Sequence, residues 1–179
     1  MKNKKQFGLI GKNIEYSFSR KFFSEKFSSD NKYSNYDYKN YDIQSIDDLN
    51  QIFNSKNLCG LNVTIPYKEK IISFLDSVSD EAKEIGAVNT ICFKNGNKIG
   101  YNTDIYGFTE SLKVNKIDDV ESVLILGTGG AAKTITYFCI KYNIPYNLVS
   151  RQKSNLHLSY NELDAVSYTH LTLPTIYSV

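Results

Sequence analysis

Short β-like runs alternate with helix-like segments along the whole chain, and this alternation predicts an α/β protein. Gln6–Gly11 reads as a strand and the aromatic-rich stretch Ser19–Phe27 as a helix. Tyr36–Ile43 alternates apolar and polar residues at period two, the pattern of a half-buried strand. Ser45, with Asp48 three positions on, has the form of a helix start. Leu58–Ile65 is a further strand, and Pro66 suits the first turn of a following helix that would carry Lys68. Ser79 can cap a helix through Glu81, Ala82 and Glu84, which Gly86 would end. Ala87–Phe93 and Lys98–Tyr101, joined at Asn95-Gly96-Asn97, form a hairpin, and helical periodicity returns over Ile105–Val114.

A second pattern begins near Glu121. Ser122–Leu126 is a continuous apolar run, as expected of a strand covered on both faces of a parallel sheet. Glycines follow, then a helix from Ala131 to Tyr142 and a strand from Tyr146 to Ser150, which together make one βαβ unit. Lys116-Ile117-Asp118-Asp119 is the best hinge between the two patterns, and no internal repeat is evident. Residues 166–179 differ from the rest: five serines and threonines from Ser167 onward, Pro174 and no Lys, Arg, Asp or Glu. That stretch reads as non-native sequence of vector or assembly origin, with a native edge strand as the alternative.

Composition narrows the classes. The 179 residues are 41% hydrophobic and 22% charged, with a formal net charge of +2, so neither disorder nor a field attracting nucleic acid is indicated. No apolar stretch approaches the roughly 20 residues of a membrane span, and Gln6–Ile10 is too short for a signal-peptide core. Cys59, Cys92 and Cys139 are odd in number and widely spaced, which fits reduced thiols and a cytoplasmic location. With only two histidines, a zinc site is not expected.

The glycines carry the first chemistry. Gly127-Thr128-Gly129-Gly130-Ala131-Ala132 fits G-x-G-x-x-G/A between a strand and a helix. The first glycine permits a tight turn, the second lets backbone approach a pyrophosphate, and the small sixth residue lets helix and strand pack closely. The helix N-terminus supplies amides and a positive dipole end. Where an NAD-binding strand would end in an acid for the ribose hydroxyls, this chain has Ser150-Arg151-Gln152-Lys153. A guanidinium there pairs with a 2′-phosphate, so NADP is the expected cofactor, although a strand end with incidental basic residues has the same look.

Polar groups also cluster in the first pattern. Asn62 and Thr64 share one strand face, and Lys68 follows in a first helical turn, where an ammonium opposes the dipole. Asn89 interrupts an apolar run and needs partners if buried. In Asn102-Thr103-Asp104 the acid can cap the next helix, take part in chemistry, or both. Ser17 and Ser19 stand two apart beside a helix start, a spacing suited to a carboxylate or simply to a cap.

Taken together, these elements resemble the shikimate dehydrogenase family over about Phe7 to Asp164. The resemblance rests on the S-x-S element, Asn62-Val63-Thr64-Ile65-Pro66-Tyr67-Lys68, Gly86-Ala87-Val88-Asn89-Thr90, Asn102-Thr103-Asp104 with Gly107-Phe108, the glycine loop and Ser150-Arg151. It implies a substrate-binding catalytic domain over residues 1–103 and a partial Rossmann domain for NADP over 104–165. By position it implies that Ser17 and Ser19 hold the shikimate carboxylate and that Asn62, Thr64, Asn89 and Asp104 hold its hydroxyls. Lys68, with Asp104, would be the catalytic acid or base. Asp80 would lie near the cofactor, together with Gly127, Thr128, Gly129, Gly130, Ala131, Ser150, Arg151 and Lys153.

Two departures stand out. The Pro and His that usually follow the first serines are Arg20 and Phe23 here. Family members also continue beyond this length, with a helix whose Gln touches substrate, so a C-terminally truncated chain with little or no turnover is expected. The competing expectations are a quinate/shikimate dehydrogenase using NAD and a non-catalytic binding fragment. Oligomeric state is not legible.

Overall fold

The computed structural model describes residues 4–165 apart from 116, 118, 119, 153 and 155. Lys153, the tail 166–179 and most of the expected hinge lie outside the described residues. The chain divides into two compact units, Met1–Thr103 and Asp104–Val179.

The mixed α/β architecture expected from the alternation is the one observed. In the first unit, β1 (Lys5–Gly11), β2 (Tyr36–Asp42), β3 (Leu58–Val63), β4 (Ser77–Val78), β5 (Thr90–Lys94) and β6 (Asn97–Tyr101) form one sheet in the order β2-β1-β3-β5-β6-β4. β1 is parallel to both β2 and β3, whereas β3–β5 and β5–β6 are antiparallel. The end of β1, the end of β3, the start of β5 and the end of β6 therefore meet at one edge of the sheet. Every polar motif singled out in this unit except Asp80 sits on a strand end or loop at that edge.

The two sheet faces follow from the period-two pattern. Ile10, Leu61, Val63 and Ile91 point into the main core with Leu49 and Ile52 of α2 (Leu49–Phe53), and Ala82 of α3 (Asp80–Ile85) joins them. Each buried aliphatic side chain of this size contributes about 1.5–3 kcal/mol. On the other face, Leu9 and Tyr38 pack with Ile14 under Phe23 and Phe27 of α1 (Phe18–Ser29). The Phe23 ring stacks on Tyr38 at 4.6 Å between centroids.

Two local expectations need correction. β3 stops at Val63, and no α-helix carries Lys68: the chain turns after a cis Ile65–Pro66 bond, and a short 3₁₀ helix occupies Lys70–Phe74. The Lys68 carbonyl accepts from the Val88 N–H at 2.7 Å, so it is committed to a distant segment rather than to the next helical turn. The expected clash with a helix dipole therefore does not arise. Likewise β5 begins at Thr90, and Ala87–Asn89 lie outside the strand.

In the second unit, β7 (Val123–Leu126), α5 (Gly130–Lys141) and β8 (Tyr146–Ser150) form the expected βαβ unit. A third parallel strand, β9 (Leu158–Ser159), pairs with β8 where only two strands were expected, since two residues are too short to show periodicity. The order β7-β8-β9 matches half of a dinucleotide-binding sheet. α4 (Asp104–Val114) packs on α5 through an edge-to-face Phe108–Phe138 pair at 5.0 Å. Among the described residues, no helix is long and apolar enough to cross a membrane.

Candidate functional site

The loop after β1 is tied to the end of β2. Asp42 accepts from the Asn13 and Ile14 N–H groups at 2.9 and 3.0 Å, and Asn40 Nδ2 donates to the Ile14 carbonyl at 3.1 Å. Ser17 N–H donates to the same carbonyl at 2.9 Å. This fixes the start of α1, where Ser17 is the N-cap and its Oγ accepts from the Ser19 N–H at 3.3 Å. Ser19 is buried. Tyr38 donates to Asn62 Oδ1 at 2.9 Å. Burial holds the Tyr38 phenol well above the usual tyrosine range. Ser17 and Ser19 thus share the cap of α1, while Asn62 is held from β2 by Tyr38.

Thr64 comes next to them because β1 ends in glycine. A methyl at Gly11 would collide with Ile14 and would lie 2.6 Å from Thr64 Cγ2. The Thr64 N–H donates to the Ile10 carbonyl at 2.9 Å, which extends the β1–β3 pairing past the strand end.

Lys68 and Asn89 are joined to this edge through backbone. The Val63 N–H donates to the Asn89 carbonyl at 2.7 Å, and the Lys68 carbonyl accepts from Val88. Lys68 is only 7% exposed, which is low for a lysine and unlike an ordinary surface position. Asn89 is buried, and its side chain is satisfied by a residue that the sequence reading did not single out. Its Oδ1 accepts from the Thr103 N–H at 2.9 Å, its Nδ2 donates to Thr103 Oγ1 at 3.0 Å, and Thr90 Oγ1 donates to Oδ1 at 3.0 Å. Asn102 Nδ2 reaches the Ala87 carbonyl at 3.0 Å and pins the same segment. Asp104 follows Thr103 in the chain and is the first residue of α4.

Asp80 stands apart from this group. It opens α3 with its carboxylate exposed, 3.3 Å from Lys83 Nζ. A cavity of about 390 Å³ in the first unit borders Tyr38, Asn62 and Thr90, but most of its lining is aromatic and apolar. It therefore offers few partners to a polar ligand.

The glycine loop of the second unit is open. Gly127 has φ of +119°, which favours glycine, and side chains built at Gly127 or Gly129 would meet nothing within 4 Å. Gly129 is the N-cap of α5, which has no side-chain cap, Gly130 and Ala131 form its first turn, and Ala132 is buried against the unit. Thr128 is exposed. Space for an anion above uncapped helical amides fits a pyrophosphate. Ser150 ends β8 and its hydroxyl donates to the Gln152 carbonyl; Arg151 follows, exposed.

Tyr38 and Thr103 are the site neighbours that sequence reading missed. A tyrosine on the inward face of β2 was a usable signal, because a buried phenol needs a hydrogen-bond partner. Thr103 gave no such signal.

This sheet, with its polar edge, followed by a glycine-loop βαβ unit, defines a two-unit α/β chain. Residues 9–91 match the family model described as the shikimate dehydrogenase substrate binding domain. The NADP(+) shikimate dehydrogenase of Aquifex aeolicus is 38% identical over 149 residues, covering 82% of this chain and 55% of that relative. Shikimate dehydrogenase 1 of Peptoclostridium difficile superposes with a TM-score of 0.79 at 34% identity, over 90% of this chain and 64% of that one. A Thermus thermophilus shikimate 5-dehydrogenase, solved in complex with NADP(H) and shikimate, gives a TM-score of 0.70 at 28% identity, over 82% of this chain and 56% of that one. The chain is thus similar to shikimate dehydrogenases over 82–90% of its own length. It spans 55% of the length of the Aquifex aeolicus relative.

Proposed function

We propose that residues 1–103 are the substrate-binding domain of an NADP-dependent shikimate dehydrogenase and residues 104–165 the first part of its cofactor domain. The reaction is the reversible reduction of 3-dehydroshikimate to shikimate in aromatic amino acid biosynthesis, in the cytoplasm. The observation that carries this reading is the convergence of Ser17, Ser19, Asn62, Thr64, Lys68 and Asn89 on one edge of the sheet, tied by hydrogen bonds rather than by sequence proximity.

The chemistry needs a hydride on the carbonyl carbon and a proton on its oxygen. NADPH, when bound, supplies the hydride; the chain's own residues supply the rest. Ser17 and Ser19 receive the carboxylate at the start of α1, where a helix N-terminus favours an anion. Asn62, Thr64, Asn89 and Asp104 hold the ring hydroxyls. The Lys68 ammonium gives its proton to the developing alkoxide in reduction and takes it back in oxidation, with Asp104 as its carboxylate partner. The open loop from Gly127 to Ala131 receives the pyrophosphate, Ser150 and Arg151 receive the 2′-phosphate, and Lys153 and Asp80 are assigned to the cofactor by family position.

The test is titration of shikimate into the purified chain, followed by calorimetry. Saturable binding that Ser17→Ala and Thr64→Ala each weaken supports the assignment. A folded chain that does not bind shikimate overturns it.

A further inference from the structure

We infer that Tyr38 is a positioning residue of the substrate site, fixing which way the Asn62 amide faces. This rests on the reading of Asn62 as a substrate-binding residue. No feature of the family resemblance singled Tyr38 out.

The geometry requires an unusual reach. β1 lies between β2 and β3, so Tyr38 and Asn62 belong to strands about 9–10 Å apart. Their partners on β1 are Phe7 and Leu9, two residues apart and therefore on the same face. The Tyr38 side chain must cross β1 diagonally between those positions before its hydroxyl can meet Asn62 Oδ1 at 2.9 Å. Serine or threonine at position 38 could not span that gap. The Phe23 ring, stacked on Tyr38 at 4.6 Å, holds the phenol along this path. Tyr38 is 4% exposed, so water has little access to compete for its hydroxyl.

The direction of the hydrogen bond matters more than its presence. Tyr38 spends its own proton on Asn62 Oδ1. If the Asn62 amide flipped, Nδ2 would donate to the phenol oxygen and the buried Tyr38 proton would lose its acceptor, so the observed orientation is the one that satisfies the phenol. Its Nδ2, which has no partner among the described residues, is then the atom presented to a ligand. Asn62 therefore acts as a donor, suited to a hydroxyl or carbonyl oxygen. Without the phenol the amide would sample both orientations, and a ligand would bear the cost of selecting one.

Tyr38→Phe tests this, because the ring and its stack on Phe23 remain. Shikimate affinity, read by calorimetry on the intact chain, should fall roughly five- to thirtyfold, the scale of one lost neutral hydrogen bond and an unfixed partner. Introduced into Asn62→Ala, the same substitution should change affinity by less than about twofold, because the group it orients is gone. Without ligand, the Asn62 side-chain amide resonances, identified by their absence in Asn62→Ala, should shift in Tyr38→Phe. Wild-type affinity in Tyr38→Phe, an equal loss in both backgrounds, or unmoved Asn62 amide resonances would each overturn the proposal. A wild-type chain that does not bind shikimate overturns the substrate reading itself, and this inference with it.

Discussion

Asn89→Ala should cost stability, and the size of the loss follows from its partners. The substitution removes at least four side-chain hydrogen bonds, three with Thr103 and one with Thr90. A neutral intramolecular bond is worth about 0.5–1.5 kcal/mol net, and more is lost only when the abandoned partner stays buried. Thr103 is exposed and Thr90 half-buried, so water can replace the amide at both, and the low end of that range applies. The expected loss is about 2 kcal/mol. Urea unfolding followed by circular dichroism should show a lower midpoint with an unchanged slope, because the surface exposed on unfolding is the same. Thr103→Ala removes the other side of the same contact, so the double variant should lose clearly less than the sum of the singles. A loss below about 0.5 kcal/mol for Asn89→Ala, or full additivity with Thr103→Ala, would refute this account of the segment.

In a form of the enzyme that turns over, Lys68→Ala should lower kcat by roughly 10²-fold or more while the shikimate KM moves less, since a general acid acts mainly in the transition state; unchanged kcat would leave Lys68 without a catalytic role. Arg151→Ala should weaken NADPH roughly tenfold to a hundredfold and NADH little, and equal effects on both would remove the 2′-phosphate assignment. Asp76 is a pH probe: the Lys98 ammonium and backbone N–H, both at 2.7 Å, hold its carboxyl below the usual aspartate range. A depressed folded-state pKa stabilises above the unfolded value and loses that contribution as pH falls through the folded one, so acid unfolding below about pH 4 should be less steep in Asp76→Asn. Identical acid limbs would show that the pair contributes nothing.

Elements were legible where their cause is local. The alternation in β2, the cap at Ser17 and the strand–glycine–helix run around Gly127 each lie within a few residues and were readable as such. The setting of Lys68 was not, because what decides it is a hydrogen bond to Val88, twenty positions further on. Proline at position 66 looked like a helix start by local rules, and only the commitment of the Lys68 carbonyl to another segment shows why no helix forms there. Asn89 was legible as a buried amide in need of partners, yet its partner Thr103 looked like part of a cap sequence. Tyr38 fell between these cases: its burial was readable from period two, but its reach over β1 depends on the strand order, which no local pattern encodes.

The two asparagines assigned to substrate hydroxyls are therefore not equivalent. Asn89 has both ends of its amide engaged, Oδ1 by the Thr103 N–H and the Thr103 and Thr90 hydroxyls and Nδ2 by Thr103, so it can reach a ligand only by sharing atoms that already hold the Asn89–Thr103 segment together. Asn62 has one end held by Tyr38 and the other unengaged among the described residues. Family position gives both the same role, while the hydrogen-bond inventory divides the work between them. Asn62 has a donor to offer and little structural duty beyond its strand. Asn89 keeps the chain between β5 and the end of β6 in register, and so sets where Lys68 sits through the adjoining Val88 N–H. On this division, removing the Asn62 amide costs affinity before stability, and removing the Asn89 amide costs stability before affinity.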